Sequence, residues 1–272
     1  MTVNTMTQEA LNTYNEAYYY YTGSNGYPLN YHKAIEKFNH AAQLGVSQAM
    51  NYLGIIYLEG KFVEQNYALA ADWFLKAAQA EPVDIHSMYN LGRMYYNGWG
   101  VEKNYETAKD FLERTLSACK STASPYPQSC YLLGVIYFEV YKNYNKAHLH
   151  FREAALKGNI PDAWYYLGWL LERHLMPSSI SNLPKEDRTL ERNKLARNYY
   201  EKAANLGCAP AMDSLGRLHI MYQNNAVGIG WLEKAAALGY EPSQKRLRLL
   251  KAADSGSLLK MGSSLIDMFK KS

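Results

Sequence analysis

The sequence predicts an all-α protein, a solenoid of about six helix pairs followed by a C-terminal capping helix. Two helical signatures alternate along the chain, and each recurs at similar intervals. Units of this kind cannot bury their apolar faces alone, so they must stack on their neighbours. A hydrophobic content of 48% over 272 residues is ample for the resulting core. We therefore expect residues 1–272 to form one solenoid domain.

The first signature predicts the A helix of each pair. It consists of a small residue, then Leu-Gly four residues later, then Tyr, and Ser87, Leu91, Gly92 and Tyr95 are its clearest copy. At 100° per residue, the small residue, the leucine and the tyrosine share one apolar face. Glycine costs about 1 kcal/mol of helix propensity relative to alanine, so its recurrence indicates close approach by another helix. The pairs begin near Ala10, Ala49, Ser87, Ser129, Ala163 and Ala211, and the cap spans 243–272.

The second signature predicts the B helix of each pair. It consists of an alanine, an aromatic residue four positions later and two further alanines, as in Ala70, Phe74, Ala77 and Ala78. Small residues stand where a neighbouring backbone comes near, and the aromatic ring fills the space between them. The glycines that follow are expected to end these helices in the left-handed conformation. They are Gly45, Gly158, Gly207 and Gly239.

Irregular segments interrupt the repeat in the middle and at both ends. Residues 173–193 are expected to lengthen one loop within a helix pair. Residues 18–21, four consecutive tyrosines, end the first A helix; we favour a role as a cap on the binding groove over simple cover for the first repeat. Residues 257–272 predict an amphipathic capping helix, with a membrane-surface helix as the alternative because basic residues are in excess there.

The charge, the cysteines and the apolar runs of the sequence indicate which partners and which cellular compartment to expect. The formal net charge is only +4, and before residue 245 basic and acidic residues are interspersed, which argues against a nucleic-acid partner. Three cysteines without a CxxC pair favour neither a disulfide framework nor a structural zinc site. No signal peptide or apolar run of about 18 residues is visible. We therefore expect a cytoplasmic protein and no membrane partner.

Catalytic motifs are absent from the sequence. No GxxxxGK[ST], HExxH or GxSxG pattern occurs. His148 and His150 stand two apart on a predicted helix, so they point to different faces and make a poor metal pair. We expect no catalytic residues, no metal and no cofactor, with an enzyme of cryptic site as a remote alternative.

The full pattern, AxxxLGxxYxxGxGVxxxxxxAxxWxxKAAxxG, resembles the Sel-one-like repeat, a relative of the tetratricopeptide repeat. Gly98, Gly100 and Val101 match the turn between the two helices of that repeat, and residues 76–78 match the end of its B helix. The resemblance covers nearly the whole chain. It implies a right-handed superhelix of antiparallel α-helix pairs that serves as an adaptor or scaffold.

The side of the A helix away from the core predicts the binding surface. Positions two, six and nine after the small residue lie there, and they are more aromatic than a solvated face should be. In the tetratricopeptide class this side lines the concave groove, and tyrosine, tryptophan and arginine dominate binding hot spots. The alternative is packing on adjacent helices or loops. The predicted partner-binding residues are Tyr89, Arg93, Tyr96, Tyr131, Phe138, Tyr165, Trp169 and Arg217.

Taken together, these patterns predict a non-catalytic scaffold that binds a protein partner in its concave groove. A narrower alternative is a bacterial immunity or antitoxin-type protein that binds and occludes a cognate toxin or effector. Both hypotheses place the function at the A-helix residues that the repeat itself does not require.

Overall fold

The computed structural model describes residues 8–120, 123–175, 185–222 and 224–252. This part of the chain contains thirteen α-helices and no β-strand, so the predicted all-α solenoid class is confirmed. The predicted helix at 257–272 lies outside the described residues. The helices are α1 (Gln8–Thr22), α2 (Tyr31–Gln43), α3 (Ser47–Glu59), α4 (Tyr67–Gln79), α5 (Ile85–Asn97), α6 (Tyr105–Ala118), α7 (Tyr126–Glu139), α8 (Tyr144–Gly158), α9 (Pro161–Glu172), α10 (Lys185–Asn205), α11 (Ala209–Met221), α12 (Asn225–Ala237) and α13 (Glu241–Ala252).

The helices fall into two compact units. Unit 1 ends at Val140 and contains α1 to α7, whereas unit 2 begins at Tyr141 and contains α8 to α13. Within each unit every helix packs against the next helix in the chain. A helices are odd-numbered and B helices are even-numbered, which is the stacking that a solenoid requires. That one solenoid domain spans residues 1–272 stays a prediction.

Both signatures are explained by burial. In α3 the side chains of Ala49 and Leu53 are fully buried, and in α4 those of Ala70 and Phe74 are fully buried as well. Burying a leucine or phenylalanine side chain contributes about 1.5–3 kcal/mol, so a stripe of such residues in each helix stabilises the stack. The core-facing assignments of these positions are therefore confirmed, and the A-helix tyrosines Tyr57 and Tyr95 pack against the core while only half-buried.

The A-helix glycine makes room for a side chain of the B helix. A Cβ atom on Gly54 would lie 2.5 Å from the ring of Phe74, and one on Gly168 would lie 2.8 Å from the ring of Tyr200. Atoms that close would force the ring or the helix to move, and overpacking of this kind costs about 1–3 kcal/mol. The close helix approach predicted from these glycines is confirmed in both units.

Four B helices are capped at their start by an asparagine side chain, a feature that the repeat signatures did not predict. In α4 the side-chain oxygen of Asn66 accepts a hydrogen bond from the backbone nitrogen of Leu69 at 2.9 Å. This N-cap satisfies one of the free backbone donors of the first turn and stabilises the helix by about 1 kcal/mol. The same bond is made by Asn30, Asn66, Asn104 and Asn143 at the starts of α2, α4, α6 and α8.

The prediction that a glycine ends each of four B helices is wrong for one of them. Gly45, Gly207 and Gly239 have positive φ angles as expected. Gly158 instead remains inside α8, and Asn159 takes the left-handed position with φ 48°. Asparagine tolerates this conformation better than other residues with a Cβ atom, so the helix gains one residue before it ends.

The predicted loop at 173–193 is also wrong in its second part. Helix α10 already begins at Lys185 and runs for 21 residues to Asn205. Glutamate, lysine, arginine and leucine dominate residues 185–195, and these are good helix formers. The long spacing between the A-helix anchors Ala163 and Ala211 is therefore taken up in part by a longer B helix.

Candidate functional site

The A helices of unit 1 line a cavity of about 600 Å³, which we call the unit-1 cavity. This volume lies within the range typical of ligand-binding sites. Helices α1, α3 and α5 supply most of the lining, and the start of α7 closes one side. Among the lining residues are Tyr14, Asn51, Tyr52, Leu58, Glu59, Asp84, Tyr89, Asn90 and Arg93.

A cluster of buried polar side chains forms part of the unit-1 cavity. The Oδ1 atom of Asn51 accepts hydrogen bonds from Ser87 Oγ at 3.1 Å and from Asn90 Nδ2 at 3.4 Å. Asp84 caps α5, and its Oδ1 atom accepts from the backbone nitrogen of Ser87 at 2.6 Å. Burial raises the pKa of the Asp84 carboxyl above its usual value. The cluster joins α3 to α5 through polar contacts, as buried polar groups require partners.

Arg93 lies at the edge of this cluster, close to two aromatic rings. Its guanidinium carbon is 5.7 Å from the ring centre of Tyr89 and 5.6 Å from that of Trp99, both within cation–π range. Its Nη1 atom donates a hydrogen bond to Asn90 Oδ1 at 3.5 Å. Within the described ranges, no carboxylate lies at salt-bridge distance from Arg93.

The two carboxylates that line the unit-1 cavity have other partners. Glu59 Oε2 accepts from Lys61 Nζ at 2.7 Å, and Asp84 serves as the N-cap of α5. Neither group therefore neutralises the charge of Arg93. Burial also raises the pKa of the Tyr89 hydroxyl, so this side chain stays neutral beside the guanidinium.

The A helices of unit 2 line a smaller cavity of about 130 Å³, which we call the unit-2 cavity. Three predicted binding residues, Tyr165, Trp169 and Arg217, contribute to it. Tyr165 and Trp169 are half-buried, whereas Arg217 is buried with 6% of its surface exposed. The unit-2 cavity therefore offers less room, and the side chains around it are more enclosed.

Charges around the unit-2 cavity are neutralised inside the fold. Arg217 Nη2 pairs with Glu172 Oε1, and Arg246 Nη1 lies 3.5 Å from Asp213 Oδ2. Ser243 Oγ donates to the other oxygen of Asp213 at 2.6 Å. Each arginine thus has a carboxylate partner, and all four charged side chains are largely withdrawn from solvent.

The two cavities use equivalent positions of the repeat. Counted from the small residue that begins each A helix, Arg93 and Arg217 both stand at position six. Position nine of the preceding A helix is Leu58 in unit 1 and Glu172 in unit 2. The difference at position nine decides whether the arginine receives a carboxylate from its own unit.

The polar cluster has an equivalent in unit 2. Position two of an A helix is Asn51 in unit 1 and Asp213 in unit 2, and in both units it bonds to the serine that begins the next A helix. We expected position two to face away from the core. That expectation is wrong for these two residues, because both are buried against the following A helix. Sequence periodicity missed this contact, whose partners stand 36 and 30 residues apart.

Three predicted binding residues line neither cavity. Tyr96 donates a hydrogen bond from its hydroxyl to Glu139 Oε2 at 2.9 Å. Tyr131 and Phe138 are half-buried on α7. The structure therefore brings Tyr89 and Arg93 together at one cavity and Tyr165, Trp169 and Arg217 at another. All eight remain predictions as partner contacts.

In the described part of the chain, no three side chains among His, Cys, Asp and Glu are placed to hold a metal ion. No disulfide joins Cys119, Cys130 or Cys208, and burial raises the pKa of the Cys208 thiol to about 12. None of the helices described is long and apolar enough to cross a membrane.

Comparison with known proteins gives a family match and a set of similar structures. The family model of the Sel1 repeat matches residues 14–46, 47–81, 85–117, 127–159, 190–208 and 214–240. A Sel1 repeat protein from Oxalobacter formigenes is 23% identical, with 85% of this chain and 88% of that chain covered and a TM-score of 0.63. An immunity protein from Pseudomonas aeruginosa is 19% identical over 89% and 86%, with a TM-score of 0.44. None of the curated proteins matches.

Proposed function

Because the chain belongs to the Sel1 repeat family, whose members are generally protein-interaction scaffolds, we propose that it binds a protein partner through the unit-1 cavity. In this proposal the protein is a non-catalytic scaffold. Its A and B signatures supply the stack, and the residues that the signatures leave variable supply the contact surface.

The observation that carries the proposal is the composition of the unit-1 cavity. Tyr14, Tyr52 and Tyr89 offer large, rigid contact areas that lose little entropy on binding. Asn90 and Arg93 stand beside them and supply hydrogen-bonding groups that fix orientation. Aromatic area together with a few placed polar groups is the combination found at interaction hot spots.

The carboxylates of this cavity support binding rather than catalysis. Asp84 is used as a helix cap, and Glu59 is used in an ion pair. Neither is paired with a nucleophile, as a general base would be. The unit-2 cavity, with Tyr165 and Trp169, is proposed as a second and smaller contact.

Tyr89→Ala tests the proposal directly. The partner is first isolated from native lysate with the full chain as bait, and its affinity is then measured by calorimetry. We expect the variant to weaken binding by more than 1 kcal/mol, or about fivefold or more in Kd, because a central aromatic contact is lost. Tyr141→Ala is the matched control, since Tyr141 lines neither cavity.

Unchanged affinity of the Tyr89→Ala protein, at an unchanged melting temperature, would contradict the proposed surface. The same experiment also separates the immunity hypothesis from general scaffolding. Isolation of a toxic protein whose toxicity disappears in the complex favours immunity, whereas isolation of a non-toxic partner favours an adaptor.

A further inference from the structure

The two position-six arginines differ in the source of their counter-charge. Arg217 is buried and receives the carboxylate of Glu172 from the preceding A helix of its own unit. Arg93 is half-buried, and the preceding A helix presents Leu58 at the corresponding position. The carboxylate that completes the arrangement in unit 2 has no counterpart in the described residues around Arg93.

We propose that the unit-1 cavity takes an acidic side chain of the protein partner, whose carboxylate pairs with Arg93 as Glu172 pairs with Arg217. The inference rests on the proposed function and adds the chemistry of the partner: a peptide segment that carries a glutamate or aspartate.

Arg93 is already held in position for such a contact. The rings of Tyr89 and Trp99 lie against its guanidinium, and Asn90 accepts one of its hydrogen bonds. A guanidinium presents a planar fork of donors that matches both oxygens of a carboxylate. Because the rings restrict the side chain before binding, less conformational entropy is lost when the carboxylate arrives.

Charge and shape at the cavity both favour an acidic side chain. Arg93 is the only lysine or arginine that lines the unit-1 cavity in the described part of the chain, and the carboxylates there are engaged elsewhere. Leu58 supplies an apolar surface beside it, against which the methylene groups of a glutamate can pack. A volume of about 600 Å³ admits the side chain together with the backbone that carries it.

The test uses random twelve-residue peptides, displayed between two carrier domains so that no chain end is free, and selected on the full-length protein. We expect the selected peptides to share one acidic position. One of them, synthesised with both ends blocked, should lose about tenfold in affinity when its glutamate is replaced by glutamine, as expected for a charged bidentate pair.

Variants of the protein, combined with the two peptides, form a double-mutant cycle. Arg93→Gln should cost the parent peptide the same tenfold and cost the glutamine peptide nothing further, because the two changes remove one interaction. Leu58→Glu should abolish binding by giving Arg93 a carboxylate from its own unit. Arg114→Gln is the matched control, since Arg114 lies exposed on the B helix α6.

Each outcome decides the proposal. Selected peptides without an acidic position, or acidic peptides that bind Arg93→Gln as tightly as the parent protein, would overturn it. A synthetic peptide that carries a free C-terminal carboxylate in place of the acidic side chain is measured beside the parent peptide, and tighter binding of that peptide would overturn the proposal as well. If peptides that overturn this proposal nevertheless bind the Tyr89→Ala protein more weakly than the parent protein, the proposed function stands. If no selected peptide binds Tyr89→Ala more weakly, both proposals fail. The melting temperature of each variant is measured as well, and an unchanged value shows that a loss of peptide affinity does not come from unfolding.

Discussion

The unit-1 and unit-2 cavities share their framework and differ in how their charges are neutralised. In unit 2, Arg217 and Arg246 each meet a carboxylate of the same unit. In unit 1, neutral Asn51 and Asn90 replace one ion pair, and Leu58 replaces the carboxylate of the other. A repeat protein can therefore keep one backbone arrangement and, by changing single residues, neutralise the arginine of one unit with a carboxylate of that unit while the equivalent arginine of the other unit lacks one among the described residues.

Glu172→Leu should produce the largest effect, because it gives unit 2 the residue that unit 1 carries. It leaves the buried Arg217 without a counter-charge and removes the acceptor of the Tyr200 hydroxyl, which now donates to Glu172 at 2.7 Å. We expect a loss of about 3 kcal/mol or more in the free energy of unfolding, measured in urea. Glu172→Gln, which keeps a hydrogen-bond acceptor, should lose less. Equal free energies of unfolding for the parent protein, Glu172→Leu and Glu172→Gln would show that the ion pair does not stabilise the fold.

Asn51→Asp should have an intermediate effect, because it places the carboxylate of unit 2 in unit 1 without the matching cation. A buried carboxylate that receives only neutral donors should lower the free energy of unfolding by about 2 kcal/mol at neutral pH. Adding Asn90→Arg recreates the pair formed by Asp213 and Arg246, and we expect it to recover about 1 kcal/mol or more in a double-mutant cycle. Strict additivity of the two changes would contradict the equivalence of the two clusters.

Asp84→Asn should have the smallest effect and the opposite sign. The pKa of Asp84 is raised in the folded protein, so ionisation is disfavoured there and stability falls as pH rises through that pKa. Asparagine keeps the N-cap of α5 and removes this loss. We expect the variant to gain a few tenths of a kcal/mol relative to the parent between pH 4 and pH 7, measured by urea unfolding across that range. A gain that shrinks with rising pH would mean that the carboxylate is stabilised as the anion.

The sequence predicted the parts of this molecule that follow from local periodicity. Leu53 and Gly54 on α3 and Phe74 on α4 each stand at a position fixed by the apolar repeat within a single helix. Their burial could therefore be inferred from the sequence. Asn51 and Asp213 could not be placed in the same way, because their partners belong to the next helix pair.

The candidate site was predicted in part, for a related reason. Arg93 and Arg217 stand at the same repeat position, and periodicity treats them alike. Their difference depends on position nine of the preceding helix, where Leu58 and Glu172 were visible in the sequence but had no assigned contact. The start of α10 at Lys185 was missed because the extra residues between Ala163 and Ala211 were assigned to a loop, although a longer helix increases that spacing just as a loop does.

The asparagine caps of the B helices have a consequence for how the chain tolerates change. Asn30, Asn66, Asn104 and Asn143 fix the first turn of a helix whatever the length of the segment before it. Closing a longer segment adds only a small, logarithmic entropy cost. Insertions and deletions ahead of each asparagine can thus be absorbed without shifting the register of the helices that follow. The length of these segments can therefore differ from one helix pair to the next, while side chains within them, such as Val63, Trp99 and Val101, still pack against the core.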